Sequence, residues 1–331
     1  MGLVGFYGHG NYGDELFLEV FREHLGSDVD LRPLLDPAGR TLATRLGARI
    51  RASDAILIGG GDIMIPWETT THYFVPAYLR RPVLIAGIGV PTWGQSLPHV
   101  VERLRTFVSS PSVRFLGTRD AESTAWIEGQ LRPTIPVRTA ADLVCGLTLP
   151  AVDKPAGAPI FGVIVRSRRE PDDLTHVRRL CARAIELGYR VRRIVLATGR
   201  VRAEDEVATA ALELPDTELV ASDDLAVLSR AIGECSAIAS MKFHGVVVAT
   251  MYGVPAIAMM PTTKTLNFMR RIDRTDLLSF FGDPELPSRL VPGIAPIAVE
   301  TRDQLRAEAI NHLGDLRAAI ASAVAGRMPP G

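Results

Sequence analysis

Lys242 and His244 set a cation and an imidazole two residues apart in Ser240-Met241-Lys242-Phe243-His244-Gly245, at a strand-to-helix junction. Upstream, Ser236 to Ala239 reads as a short buried strand. Downstream, the apolar run to Met251 reads as a helix closed by Gly253, with Pro255 just beyond it. In an open α/β sheet the carboxyl ends of the strands form the ligand crevice, and a helix N-terminus there turns N–H groups toward an anion. An ammonium, an imidazole and the amide of Gly245 at such a point suit an anionic substrate and a proton transfer. The alternative is a lysine capping a strand in solvent. Against it, only Lys154, Lys242 and Lys264 of the 37 cationic residues are lysines, so arginine supplies the generic surface charge and two of the three lysines fall in this region.

Other chemistry-bearing residues also follow strand candidates. Gly8-His9-Gly10-Asn11-Tyr12-Gly13-Asp14-Glu15 opens a helix. Its glycines let a backbone approach a ligand closely, and Asn11 and Asp14 bring polar groups to the helix start, where Asp14 is alternatively a plain first-turn carboxylate. The acidic pair after Gly13 sets it apart from a dinucleotide fingerprint, since a pyrophosphate would be repelled there. Gly59-Gly60-Gly61-Asp62 and Gly87-Ile88-Gly89 repeat the pattern; either is compatible with a tight turn, and jointly with the first loop they line a crevice. Arg119 and Asp120 are expected to pair and fix loop geometry. Arg166, Arg168 and Arg169 follow another strand, and Arg166, nearest its end, is expected to face an anion, because guanidinium grips carboxylate or phosphate with two hydrogen bonds. Lys264 follows the last strand and is a further candidate anion ligand.

Two strand-helix series must position these groups. In the first, strands are expected at 2–7, 29–34, 55–58, 83–87, 113–116 and, weakly, 135–137, with helical patterns between them. Proline and glycine crowd residues 149–159, which reads as a linker. The second series has strands at 160–165, 191–197, 218–221, 236–239 and 254–260 and helices at 172–187, 203–214 and 225–233. A final helix over 304–324 carries the stripe Leu305, Ala309, Leu313, Leu316 and Ile320. The expected architecture is α/β: two Rossmann-like doubly wound domains facing a cleft, over residues 1–150 and 158–300, closed by a long C-terminal helix within 301–331.

Composition narrows the function classes. With 47% hydrophobic and 22% charged residues, zero formal net charge, 6% aromatics and no basic run, the chain lacks the footprint of a nucleic-acid binder. No membrane span or signal peptide is read from it, and a cytoplasmic location is expected. Cys145, Cys181 and Cys235 are odd in number and unpatterned, as expected of buried small hydrophobes in a reducing compartment, and no metal site is called for.

The motif set resembles the polysaccharide pyruvyl transferase family. The resemblance rests on Gly10-Asn11-Tyr12-Gly13-Asp14-Glu15, the triple glycine Gly59 to Gly61, Gly87 to Gly89, Arg119-Asp120 with Ser123, and Ser240, Lys242, His244 with Gly253 to Pro255, followed by Lys264. Individually these are loose; their order and spacing, over most of the chain to about Lys264, are specific. The family's usual arginine before the histidine is Lys242 here, its Asp-Pro-Ala is Asp142-Leu143-Val144, and Thr262-Thr263 replace an aromatic-acidic pair. The resemblance implies a GT-B-like pair of domains, the first on the acceptor side and the second on the donor side. It also implies phosphoenolpyruvate as co-substrate with no other cofactor, and a sugar hydroxyl pair, free or on a lipid-linked glycan, as acceptor. A lipid-linked acceptor would bring the protein to the inner face of a membrane. On this reading Lys242, Arg166, Lys264 and Gly245 bind the donor and His244 is the general acid. Asp14 is the weaker candidate base, and Asn11, Gly10, Gly60, Gly61, Asp62 and Gly89 line the acceptor side. A nucleotide-sugar glycosyltransferase and a catalytically inactive sugar-binding relative are the alternatives, since fold does not determine function.

Overall fold

The computed structural model describes residues 1–27, 29–35, 43–69, 72–168 and 173–325. Within it the chain forms two compact units, one of residues 1–8, 17–147 and 305–331 and the other of residues 9–16 and 148–304. Each is built on its own parallel sheet.

The first sheet contains β1 (Gly2–Val4), β2 (Arg32–Pro33), β3 (Ile56–Gly59), β4 (Val83–Ile88), β5 (Val113–Thr118) and β6 (Arg138–Thr139), in the order β2-β1-β3-β4-β5-β6. Its central strands are continuous apolar runs, Ile56-Leu57-Ile58 and Val83-Leu84-Ile85, as a parallel sheet covered on both faces requires. The helices α1 (Tyr12–Leu25), α2 (Ala43–Arg51), α3 (Pro98–Val108) and α4 (Ala121–Trp126) alternate with these strands. The boundary between the units falls inside α1, after Leu16. The edge strands are shorter than the sequence suggests: only Arg32 and Pro33 of the 29–34 run are paired, and β6 begins at Arg138, just past the expected strand.

The second sheet contains β7 (Ile160–Ile164), β8 (Arg190–Val195), β9 (Glu218–Ala221), β10 (Ala237–Ser240) and β11 (Ala256–Ala258), in the order β11-β10-β7-β8-β9. Strand order therefore reverses between β7 and β10, and in a doubly wound sheet that switch opens a crevice at the carboxyl ends of those two strands. The connecting helices are α5 (Thr175–Glu186), α6 (Gly199–Ala210), α7 (Leu225–Gly233), α8 (Phe243–Met251) and α9 (Thr263–Arg271). The last of these has no counterpart in the sequence reading. Asp224 caps α7, its carboxylate accepting from Ala226 N at 2.7 Å. Lys154, in the Pro/Gly-rich segment, donates to the carbonyls of Gly233 and Cys235 at the end of α7.

The long helix α10 (Val299–Ala325) starts five residues before the expected position, and from Leu305 onward it belongs with the first sheet. Its buried stripe is Leu305, Ala309, His312, Leu313, Leu316 and Ile320, the expected residues plus a histidine. All three cysteines are buried and unpaired in disulfides, and burial pushes the thiols of Cys181 and Cys235 up to about 12. Among the described residues no helix is long and apolar enough to cross a membrane.

Candidate active site

The strand switch of the second sheet puts Arg166 just past β7 and Lys242 just past β10. Ser240, the last residue of β10, shapes the turn between strand and helix: its hydroxyl accepts from Lys242 N at 3.0 Å and donates to Lys242 O at 2.8 Å. Lys242 then serves as the extended N-cap of α8 (φ −103°, ψ 127°). Gly245 is required by the same turn, because a Cβ there would stand 2.5 Å from Ser240 Oγ. Its N–H donates to Lys242 O at 3.1 Å, so the geometry gives Gly245 a packing and turn role where an anion-binding amide was expected.

The loop before α1 belongs to this unit. Asn11 forms an antiparallel bridge with Ala197, just past β8, and Thr198 N donates to Gly10 O at 2.9 Å. Gly10 has φ +87°, and a Cβ would lie 2.1 Å from Thr198 O, so both the backbone conformation and the close approach demand glycine. Glu15 reaches back to accept from Gly10 N at 3.1 Å. Buried Tyr12 anchors the loop through a 2.6 Å hydrogen bond between its hydroxyl and that of Ser229. The consequence is a contact with α8: a Cβ on Gly13 would be 1.7 Å from His244 Nδ1. The imidazole thus fills the space that a glycine leaves open.

Asp14 follows at once. It is 7% exposed, beside 8% exposed His244. Burial raises its carboxyl above the ordinary range, opposed by the charge of His244, by the Asn11 amide that donates to it and by Lys264. A carboxylic acid so placed exchanges a proton nearer neutrality than a solvated one.

The expected cations occupy different stations. Lys242 does not project into solvent: its Nζ is ion-paired with Asp205 of α6 and donates to Leu196 O at 2.9 Å. Burial lowers its affinity for the proton and Arg166 adds to that, while Asp205 opposes both. Arg166 is exposed. Arg168 stacks over Phe281, 5.4 Å from the ring centroid, and Arg169 lies outside the described residues. Lys264 is in the first turn of α9, with Nζ 5.6 Å from the centroid of Phe243, whose ring is in turn 5.0 Å from that of His244. Asn11, Asp14, His244, Lys242, Arg166 and Lys264 are therefore gathered in one unit.

Gly60, Gly61, Asp62, Gly89, Arg119 and Asp120 are gathered in the other. Arg119, 4% exposed, is ion-paired with Asp62 at its closest contact. The Asp120 carboxylate lies 3.9 Å away and that of Asp142 3.8 Å away. The expected Arg119–Asp120 pair is thus the looser one, because Asp120 caps α4, accepting from Ser123 N at 2.7 Å. Ser123 Oγ accepts from Val90 N at 2.9 Å. A Cβ on Gly89 would meet Asp62 and Arg119 at 2.5 and 2.6 Å, and one on Gly60 would press on Phe17 at 3.1 Å. The small size of Gly89 serves the packing around one guanidinium, and that of Gly60 leaves room for Phe17.

Sequence reasoning overlooked Asp205 and Gly13. Asp205 sits in the run Arg202-Ala203-Glu204-Asp205-Glu206, which looks like a solvated helix face. Val207, two residues on, cannot share the inward face with it, so its apolar side chain points a sequence reading away from a buried Asp205. Gly13 was expected to let the backbone approach a ligand closely; what approaches it in the structure is the His244 imidazole.

A model described as polysaccharide pyruvyl transferase matches residues 11–262. No curated protein sequence matches the chain. Among solved structures, a putative UDP-N-acetylglucosamine 2-epimerase from Listeria monocytogenes aligns with a TM-score of 0.53 at 16% identity, over 100% of this chain and 97% of the other. The S. aureus MnaA–UDP structure gives 0.55 at 12% identity, over 96% and 93%. Likeness at this identity shows the fold alone: parallel-sheet α/β units of GT-B type with a long C-terminal helix.

Proposed function

Because the chain belongs to the polysaccharide pyruvyl transferase family, we propose that it transfers the pyruvyl group of phosphoenolpyruvate to two hydroxyls of a sugar, forming a cyclic ketal. The observation that carries this reading is the seating of His244 against Gly13 with Asp14 beside it, in the unit whose strand switch lies between β7 and β10. In the overall reaction one hydroxyl proton ends on the donor methylene, which becomes a methyl, and the other leaves with phosphate. Both carbon–oxygen bonds form at C2 as the bond from C2 to the phosphate oxygen breaks. His244 is assigned as the acid that protonates the methylene, and Asp14 as the base that takes a hydroxyl proton. Arg166, Lys242 and Lys264 supply fixed positive charge for a trianionic donor. Asn11 donates to the base, and Gly10 lies in the loop that leads into α1. Gly60, Gly61, Asp62 and Gly89 belong to the acceptor side in this proposal. No cofactor beyond the co-substrate enters it. A glycan, free or lipid-linked, is the partner, and a lipid-linked one would place the reaction at the inner face of a membrane.

Thermal unfolding with phosphoenolpyruvate, set beside UDP and UDP-sugars, tests the reading. A ligand at about 100 times its dissociation constant adds about 2.7 kcal/mol if it binds only the folded state. Stabilisation by phosphoenolpyruvate is expected, with acceptor-dependent phosphate release that His244→Ala lowers by about 100-fold or more. Stabilisation by the uridine ligands alone would overturn it.

A further inference from the structure

We propose that Asp205 is a positioning residue, a carboxylate on α6 that holds the Lys242 ammonium charged and aimed while fixing the loop that carries Arg166. What the ammonium is aimed at rests on the pyruvyl-transfer reading; that Asp205 holds it does not. One carboxylate oxygen accepts from Ser167 N at 2.8 Å, and the other is ion-paired with Lys242 Nζ. The ammonium also donates to Leu196 O at 2.9 Å. Ser167, Leu196 and Lys242 follow β7, β8 and β10, three neighbouring strands of the sheet. One side chain thus ties together the carboxyl ends on both sides of the strand switch.

The burial pattern of α6 shows how this is arranged. Asp205 is 2% exposed while Val207 on the same helix is 73% exposed, an inversion of the polarity a helix adopts when packing alone decides. A carboxylate at that depth is tolerated only when paired, and here its partners are the two loops of the proposed donor site. An ammonium has three N–H donors. Leu196 O and Asp205 take one each, and those two bonds orient the third. This answers the substitution of lysine where the family resemblance leads one to expect arginine: a point charge on a flexible stem needs a second group to aim it, whereas a planar fork carries its own geometry.

The charged groups facing Lys242 are Asp205 on α6, Arg166 after β7 and Asp14 in the first turn of α1. Burial and Arg166 disfavour the proton, and the two carboxylates favour it. The chain's three lysines make a direct test practical, because labelling lysine at Cε with carbon-13 gives three signals, and Lys242→Ala identifies the one of interest. In Asp205→Asn, which keeps the acceptor for Ser167 N but removes the charge, the titration midpoint of the Lys242 signal is expected to fall by about 1–3 pH units. A folded variant with an unmoved midpoint would overturn the proposal. Should Asp205→Asn alone melt too low to titrate, adding Lys242→Met is expected to restore its Tm, since the uncompensated ammonium is then gone; no recovery likewise overturns it. Phosphoenolpyruvate is expected to shift the wild-type Lys242 signal. A Lys242 that titrates as proposed yet ignores phosphoenolpyruvate would support the Asp205 assignment and sink the donor reading alone.

Discussion

Gly13 and His244 constrain one another more tightly than any other pair in the candidate site. With only 1.7 Å between an added Cβ and Nδ1, Gly13→Ala must expel the imidazole or push the start of α1 off α8. Its expected result is a loss of turnover of about 100-fold or more with a destabilisation of about 1–3 kcal/mol, read from steady-state rates and urea unfolding. Asp14 makes a prediction of opposite sign. Its carboxyl is raised by burial, so the folded state binds the proton more tightly than the unfolded chain. The associated stability is present at low pH and is lost as pH rises through the folded value. Asp14→Asn is therefore expected to melt higher than wild type at about pH 7, with the gap closing toward about pH 3, while turnover falls. A variant that melts lower at neutral pH would contradict the burial argument. Scarcity made the lysines legible in the sequence. Each has a defined partner: Lys154 at the end of α7, Lys242 with Asp205, and Lys264 over Phe243. Asp205 was not legible, because a carboxylate among charged neighbours looks the same whether its helix face is inward or outward.

Loops at strand ends gain their precision from a few buried charges. Arg119 stands among the carboxylates of Asp62, Asp120 and Asp142, so Arg119→Ala leaves them uncompensated and is expected to cost about 3–5 kcal/mol in urea unfolding. Arg119→Lys is expected to recover little of that, since a single ammonium cannot span three partners. A cost near zero for Arg119→Ala would mean that the loops hold their geometry without it. The sequence revealed the elements well where a strand is a continuous apolar run or a helix ends in glycine, as in β3, β4 and α8. It revealed edge strands poorly, since β2 and β6 pair over two residues each and carry no apolar signal. It missed α9, whose Thr263-Lys264-Thr265 start resembles a polar loop. Membership of residues 9–16, a loop and the start of α1, in the second unit was invisible for a physical reason: nothing local records which distant backbone a glycine will lie against.

Across the whole chain, the first sheet is completed by the last helix. His312 of α10 is buried, its ring 5.1 Å from that of Phe115, and a Cβ on Gly117 would lie 2.2 Å from the imidazole. Burial pulls its pKa from 6.5 down to about 4, with Arg138 adding to the effect and Asp315 opposing it. The unfolded chain therefore binds the proton more readily, and stability is expected to decline as pH falls from 6.5 to about 4, by up to about 3 kcal/mol from this group. His312→Leu should flatten that part of the pH profile of unfolding; an unchanged slope would place the sensitivity elsewhere. Because α10 comes from the far end of the sequence, synthesis imposes an order on folding. When Leu147 leaves the ribosome, Phe115, Gly117 and Gly146 have no His312, Ala309 or Leu313 to cover them, and residues 148–304 must be translated first. At about 5–20 residues per second that interval is roughly 8–30 s. The nascent first unit therefore waits with part of its apolar surface uncovered until α10 has been made.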